Sequence, residues 1–172
     1  MQLQDIKDKE YKIVFYYQAI YKYALFKLKS PEQALDVTQE VFCKYIDCNT
    51  NFESEKHEKN WLFLIASNIC NSYWRSGWYK HVFLDDSKVE ITVEDSLQSE
   101  YIEKEDADLI RRAVLSLPYK DRELIHLFYY ENMSIREICY VTGRKESTIQ
   151  TQLSRARERL KKKLESMGYE RF

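Results

Sequence analysis

Glycine and proline are scarce in this chain. Its 172 residues include only 3 Gly and 2 Pro. Sheets and barrels need many tight turns, which depend on these two residues, whereas long runs of helix formers are left uninterrupted here. Hydrophobic residues make up 44% of the chain, which is enough to build a core. The sequence therefore predicts an all-α protein of one or two compact units.

Charge is distributed unevenly along the chain, although the net charge is only −1. Residues 1–81 carry 11 basic and 10 acidic groups, residues 82–108 carry 2 and 10, and residues 109–172 carry 14 and 8. An acidic middle thus separates a nearly neutral first part from a basic second part. This asymmetry is typical of a polyanion-binding module behind an acidic linker, although charged connectors also serve only to solvate a chain.

Three helices are predicted in the first part. The first runs from about Asp5 to Lys29, and the second begins after Ser30, where Gln33 completes a capping box. Its inward positions are Ala34, Val37, Val41, Tyr45 and Ile46. A polar loop over residues 49–59 then precedes a third helix, predicted from about residue 60 to residue 75. The acidic, aperiodic stretch over residues 81–105 indicates a mostly irregular linker.

A helix-turn-helix is predicted in the basic part of the chain. Ser134 and Glu137 have the spacing of a capping box, and Gly143 supplies the left-handed residue that ends a short helix. A second helix starts three or four residues later. Its inward stripe is Ile149, Leu153 and Leu160. In such a motif the second helix fits the major groove of B-DNA.

The stretch from Gly143 to Lys163 contains eight Lys and Arg against two Glu. On its open side, Gln can pair with adenine, Arg with guanine, and Thr or Ser with bases or phosphates. The predicted DNA-contacting residues are Thr148, Gln150, Thr151, Ser154, Arg155 and Arg157. The alternative is a solvated helix face, braced by pairs such as Glu158 with Lys162.

Several ordered motifs resemble one protein family. The segment RRAVLSLPYKDRELIHLFYYENMSIREICYVTGRKESTIQTQLSRARERLKKKL is similar to region 4 of the extracytoplasmic-function (ECF) sigma factors. SPEQALDVTQEVFCKYI and NWLFLIASNICNSYWR resemble region 2 of the same family. The resemblance implies a region 2 domain over residues 1–80, an acidic linker over residues 81–105 and a region 4 domain over residues 106–168.

The resemblance also implies partners for each part. The polar stripe of the second helix would dock on the clamp helices of core RNA polymerase, whose large subunits also offer a flap as partner surface. That stripe consists of Asp36, Gln39, Glu40 and Cys43. The −10 element would meet the third helix and the polar loop, and the −35 element the helix-turn-helix. The expected −10 contacts are Asn49, Asn51, Lys59, Asn68, Arg75 and Trp78. A cognate anti-sigma factor, often membrane-anchored in the family, is a further expected partner.

The sequence departs from the family pattern at two sites. Many relatives have Arg where this chain has Leu64 and Ser67, which leaves little positive charge on the third helix. Relatives commonly have a hydroxyl residue at Lys145, which cannot cap the recognition helix, and Glu146 in the first turn would repel phosphate.

Other functions stay open from the residues alone. A helix-turn-helix regulator that does not bind core polymerase would bind DNA tightly by itself, and a purely structural protein would leave the exposed polar face unexplained. No catalytic motif pairs a nucleophile with a base, so neither an enzyme nor a cofactor or metal is expected. The four cysteines form no CxxC pair and are interpreted as core fillers. Without an apolar run of 18 residues or a secretory signal, a soluble cytoplasmic protein is expected, with no membrane insertion.

Overall fold

The computed structural model of the chain describes residues 3–76 and 101–169, with side chains from residue 7 and, after the gap, from residue 106. Within these ranges every regular element is a helix, which confirms the all-α prediction. The helices are α1 (Leu3–Leu28), α2 (Pro31–Asp47), α3 (Glu55–Arg75), α4 (Tyr101–Leu115), α5 (Tyr119–Ile125), α6 (Ile135–Thr142) and α7 (Glu146–Ser166). A π-helical turn, His126–Tyr130, continues α5. We call α1–α3 the N-terminal unit and α4–α7 the C-terminal unit.

Local capping signals place most of the helix ends. Ser30 accepts the backbone N–H of Gln33 at the start of α2, and Ser134 and Glu137 form a complete capping box at the start of α6. Gly143 ends α6 in the left-handed conformation, with φ 68°. The prediction that Gln33 completes a capping box at the start of α2 is wrong. Its buried side-chain Oε1 has no hydrogen-bond partner among the described residues, so it does not accept the backbone N–H of Ser30.

Three further expectations differ from the structure. Helix α3 begins at Glu55 rather than near residue 60, because Ser54 accepts the backbone N–H of His57 and caps it inside the predicted loop. Helix α4 begins at Tyr101, so the last residues of the predicted linker are helical, and residues 81–100 lie outside the described ones. Ile46 is 45% exposed, since the inward stripe of α2 ends at its neighbour Tyr45.

Apolar residues from both units pack into one continuous core. Tyr23 and Phe63 meet edge to face inside the N-terminal unit, and Ile138, Ile149 and Leu153 are buried in the helix-turn-helix. The cysteines divide: Cys70 is buried, Cys48 and Cys139 are half-buried and Cys43 is exposed, so the core-filler interpretation is wrong for Cys43. Among the described helices, none has the length and apolar character that a membrane crossing requires.

The two units are packed together along α1 and α3. Arg122 of α5 is buried and donates hydrogen bonds to the carbonyls of Phe26 (2.7 Å) and Lys27 (2.9 Å), in the last turn of α1, and to that of Leu117 (2.7 Å). A cation at a helix C-terminus suits both the orphan carbonyls and the helix dipole. The end of α1 is thus capped by a side chain from the other unit.

Candidate functional site

The predicted polymerase-facing stripe of α2 lies fully on the surface. Asp36, Gln39, Glu40 and Cys43 are all exposed, opposite the buried face of α2. Glu40 makes an exposed pair with Lys44, at 3.5 Å. Burial raises the pKa of the nearby Tyr73 phenol, and the negative charges of Asp36 and Glu40 raise it further. The stripe is therefore an open, largely acidic surface, which we call the acidic stripe.

Two apolar side chains border the acidic stripe, and the sequence analysis did not identify them as exposed. Leu35 is 40% exposed, and Ile46, which was expected inside, also faces solvent. Apolar groups among polar ones are typical of the centre of a protein interface, where desolvation contributes most of the binding energy. The acidic stripe with Leu35 and Ile46 can therefore receive a protein partner.

The expected −10 contacts differ in their exposure to solvent. Asn49, Asn51, Asn68 and Arg75 are exposed. Lys59 instead pairs with Glu131 of the C-terminal unit at 3.0 Å, and it also donates to the Glu131 carbonyl. Trp78 lies outside the described residues.

Neighbouring residues of α3 also contact the C-terminal unit. Asn60 donates to Glu137 at 3.2 Å, and Lys56, although exposed, pairs with Glu137 at 3.3 Å. The ring of Trp74 lies 4.2 Å from that of Tyr119, centroid to centroid. One side of α3, which we call the α3 face, thus contacts the C-terminal unit from its first turn to its last.

Aromatic residues hold the base of the polar loop before α3. Phe52 stacks near Tyr45 and meets Trp61 edge to face at 5.6 Å. Tyr45 donates to Glu58 at 2.5 Å, and both burial and this hydrogen bond raise the pKa of the Tyr45 phenol. Because Phe52 is anchored while Asn49 and Asn51 are exposed, the loop presents its amides on a fixed support.

The recognition helix α7 presents its predicted contacts to solvent. Its exposed residues include Thr148, Gln150, Thr151, Ser154, Arg155 and Arg157. Ile149 and Leu153 are buried below them, as expected, and Ala156 joins this inward stripe. We call the exposed set the recognition face.

The start of α7 has no side-chain cap, in agreement with the sequence. Lys145 occupies the cap position without making a capping hydrogen bond. Its neighbour Arg144 instead bridges the turn, because one guanidinium nitrogen donates to Gln152 at 2.8 Å and another pairs with Glu123. Arg144 therefore ties the recognition helix to α5, a role that local sequence patterns did not indicate.

Arg157 is held against aromatic rings rather than free in solvent. Its guanidinium lies 4.9 Å from the centroid of Phe128, and its Nε donates to the Tyr129 hydroxyl at 2.8 Å. Stacking on the π-helical turn fixes the direction of this cation. Further along, Arg159 pairs with Asp121 at 2.5 Å.

A buried cluster of polar groups joins the two units. Oε1 of Glu123, on α5, accepts hydrogen bonds from Lys27 Nζ at 2.6 Å, the Tyr23 hydroxyl at 2.8 Å and the Ser67 hydroxyl at 3.1 Å. Its Oε2 pairs with Arg144. All but Arg144 are almost fully buried. Sequence reasoning missed this cluster, since lysine and glutamate on amphipathic helices are normally exposed.

The charges in this cluster set its ionisation. Burial by itself would raise the pKa of the Glu123 carboxyl, but the cations of Lys27 and Arg144 and the hydrogen bonds outweigh burial and hold it below the ordinary 4.5. Burial and the Glu123 charge raise the pKa of the Tyr23 phenol well above its ordinary value. Burial likewise raises the pKa of the adjacent Cys70 thiol to about 12. The Glu123 carboxylate is therefore paired with Lys27 and Arg144, and it also accepts hydrogen bonds from the hydroxyls of Tyr23 and Ser67.

A cleft of about 440 Å³ lies where the covered and open surfaces meet. Trp74 of α3, Tyr119 of α5 and Arg155 of α7 are among the residues that line it. The docked arrangement thus brings Trp74, on the helix expected to meet the −10 element, and Arg155, an expected −35 contact, to one cleft.

Comparison with known proteins gives matches to both units. The family model described as Sigma-70 region 2 matches residues 14–79, and that described as Sigma-70, region 4 matches residues 107–160. The ECF RNA polymerase sigma factor SigM of Bacillus subtilis (strain 168) is 28% identical over 147 residues, covering 85% of this chain and 88% of SigM. ECF RNA polymerase sigma factor SigW of the same organism is 27% identical over 164 residues, covering 88% and 86%.

A solved structure has a similar fold. The sigma factor RpoE from Bartonella quintana, in a co-crystal structure with the anti-sigma factor NepR, matches with a TM-score of 0.69 and 23% identity. The match covers 92% of this chain and 98% of that chain.

Proposed function

Because this chain belongs to the sigma-70 family, we propose that it is an alternative sigma factor, which binds core RNA polymerase and directs it to specific promoters. The observation that carries the proposal is that region 2 and region 4 match in this order, over residues 14–79 and 107–160. In each region a helix with a predicted contact, α2 or α7, has an exposed polar surface. The chemistry of transcription belongs to the polymerase, so the protein itself is not an enzyme and needs no cofactor.

The first proposed contact is between the acidic stripe and the polymerase clamp helices. Asp36, Gln39 and Glu40 are exposed, and the pair that Glu40 makes with Lys44 is itself exposed. Leu35 and Ile46 add apolar area beside them. Substitution of Asp36 or Gln39 by Ala is expected to weaken competition for core polymerase without lowering stability.

The second proposed contact is between the recognition face and the −35 element. The first turns of a recognition helix reach base edges, so Gln150, Thr151, Ser154 and Arg155 are the proposed base contacts. Arg157 lies about one turn beyond Ser154 and is stacked on Phe128, which suits a phosphate contact. The C-terminal unit corresponds to the proposed −35 domain over residues 106–168.

The third proposed contact is between the N-terminal unit and the −10 element. Asn49 and Asn51 would hold a base flipped out of the duplex, while Lys59, Asn68 and Arg75 would contact the strand. Lys59 is paired with Glu131 in the docked arrangement, whereas Asn49, Asn51, Asn68 and Arg75 are exposed. In the proposed −10 domain over residues 1–80, Lys59 must therefore leave Glu131 before it can contact DNA.

The promoter itself requires the units to separate. Elements at −10 and −35 are about 25 base pairs apart, or about 85 Å along B-DNA at about 3.4 Å per base pair. A compact chain of this length has a radius of gyration of about 16 Å, too small to reach both elements. The residues between α3 and α4 can extend at most about 85 Å, which is enough. We propose that the docked arrangement is that of the protein when it is not bound to DNA. We also propose that the protein is cytoplasmic and that an anti-sigma factor is a further partner.

Run-off transcription with core RNA polymerase on a promoter library tests the proposal. A sigma factor directs initiation from a subset of templates and binds DNA weakly by itself. The competing candidate is a helix-turn-helix regulator that does not act through core polymerase. Such a regulator would also use an exposed recognition face. No initiation on any template, together with tight DNA binding by the purified protein alone, would favour that regulator.

A further inference from the structure

The Glu123 carboxylate occupies an anion-binding cradle on the N-terminal unit. Three donors of that unit, Tyr23, Lys27 and Ser67, converge on one oxygen of Glu123 within 3.1 Å. Lys27 also donates to Asn71 at 3.0 Å. A site that aims a lysine and two hydroxyls at one oxygen is complementary to a phosphate oxygen as well as to a carboxylate.

Separation of the units opens this cradle. The groups that enclose the Lys27 ammonium from the other unit are the Glu123 carboxylate and the Tyr119 ring, whose centroid is 5.0 Å away. Both move away with the C-terminal unit, whereas Tyr23, Ser67 and Asn71 remain. Separation therefore leaves the Lys27 ammonium beside two hydroxyls that already converge on one anion position, now open to another anion.

The cradle lies in the middle of the proposed −10 surface. The basic residues of α3 are Lys56, Lys59 and Arg75, so no cation occurs on it between residues 59 and 75. Lys27 Nζ, although it comes from α1, lies 3.1 Å from the Ser67 hydroxyl, halfway along that interval. The exposed Asn68 neighbours this site on α3. Lys27 therefore supplies to the α3 face the positive charge that α3 itself lacks.

We propose that Lys27, with Tyr23 and Ser67, binds a backbone phosphate of the −10 strand once the units separate, and that Glu123 holds the place of this phosphate in the docked arrangement. The proposal rests on the proposed sigma function, which supplies both the DNA strand and the separation. Glu123 thereby acts as an internal competitor of promoter DNA: each of the two anions excludes the other from the same three donors.

Holoenzyme binding to a promoter fragment with a pre-melted −10 segment tests the proposal. The dissociation constant is measured between low and moderate salt for the wild type, Lys27→Met and Lys27→Arg, each as full chain with core polymerase. Loss of one phosphate contact on a single strand lowers the salt slope of log K by about 0.7. We expect that loss for Lys27→Met and an unchanged slope for Lys27→Arg.

Two further variants separate charge from folding. Lys12→Met removes a lysine about four turns earlier on α1, which pairs with Glu55, and should keep the wild-type slope. Ser67→Arg in the Lys27→Met background restores a cation at the cradle from α3, and should restore the slope even if Lys27→Met alone folds poorly. A merely structural role of Lys27 would not predict that rescue.

The outcomes distinguish the inference from the function on which it rests. An unchanged slope for Lys27→Met, with normal core binding, overturns the inference and leaves the sigma function intact. A loss confined to core binding also overturns it, because the ligand would then be a protein carboxylate. Wild-type holoenzyme that forms no complex with the promoter fragment and initiates on no template overturns the sigma function itself.

Discussion

The recognition face and the α3 face are both proposed to contact DNA, yet the docked units treat them differently. The recognition face is exposed at all six positions, whereas the α3 face meets the C-terminal unit through the half-buried Lys59 and Asn60 and through the exposed Lys56. Three carboxylates take part in this contact: Glu123, Glu131 and Glu137 belong to the basic part of the chain, and all pair with cations of the N-terminal unit. The proposed −10 surface is therefore partly occupied by protein anions, while the proposed −35 surface is open.

Removal of the Glu123 carboxylate is expected to have the largest effect on the contact between the two units. Glu123→Gln leaves Lys27 and Arg144 without their common partner, and removal of one member of a buried ion pair costs about 3–5 kcal/mol. We expect loss of about that much from the free energy of unfolding in urea, or separation of the units, seen as a larger radius of gyration by small-angle X-ray scattering. Glu165→Gln, which removes an exposed pair with Lys161, is the matched control. Wild-type values for both quantities in Glu123→Gln would mean that the cluster does not hold the units together.

The open surface can be tested by itself. Arg155→Ala should lower initiation by about 1–3 kcal/mol at promoters that depend on the −35 sequence, if Arg155 pairs with guanine. Arg112→Ala, an exposed arginine of α4 paired with Asp108, is the control and should have no effect. Initiation rates on a set of −35 variants measure the change. An equal loss on every −35 sequence would identify Arg155 as a phosphate contact.

The cap of α6 lies at the edge of the covered surface. Ser134→Ala should lower the free energy of unfolding by about 1 kcal/mol through loss of the helix cap. Ser116→Ala, whose hydroxyl donates to a carbonyl within α4, is the control. A Ser134→Ala variant as stable as the control would show that the capping box contributes nothing.

The same cap gives a pH dependence. Burial favours the neutral Glu137 carboxyl, but hydrogen bonds from Ser134, Asn60 and Lys56 outweigh it and lower its pKa from 4.5 to about 2. Because the folded pKa is lowered, this stabilisation is complete above pH 4.5 and is lost as the pH falls from 4.5 towards 2. Ser134→Ala should narrow that window, which unfolding measured across this pH range would detect. A stability profile identical to that of the wild type would contradict the assignment.

A further test concerns the turn before the recognition helix. A Cβ at Gly143 would meet no atom within 4 Å, so Gly143→Ala should cost only the backbone strain of a positive φ, about 1–2 kcal/mol. We expect lower −35 affinity as well, because α7 starts from this turn. Gly168→Ala adds similar strain beyond α7 and should spare −35 affinity. Equal DNA affinities in the two variants would indicate that the turn does not position α7.

Local signals made much of the fold predictable. Ser30, Ser134 and Gly143 set helix ends through groups a few residues away, and helical spacing correctly assigned Ile149 and Leu153 to the core. The same spacing left the acidic stripe and the recognition face exposed, as predicted. Helical spacing does not predict burial where two adjacent residues are both apolar. Tyr45 and Ile46 were both predicted to face inward, but only Tyr45 is buried.

The docked arrangement could not be predicted, because its contacts join residues far apart in sequence. Lys27 and Glu123 each look like ordinary surface charges on amphipathic helices, and only their pairing makes burial tolerable. Arg122 likewise has the pattern of a helix surface residue, yet it caps α1. Charge counts along the chain did indicate a basic second part, but not that its carboxylates would face the first.

The separation of 96 residues between Lys27 and Glu123 also has a consequence in time. Translation proceeds at about 5–20 residues per second, so roughly 5–20 s pass between the synthesis of the cradle and that of its carboxylate. The N-terminal unit has mainly local contacts and can fold within that interval. Each newly made chain therefore passes through a period in which the acidic stripe is formed and the α3 face has not yet been covered.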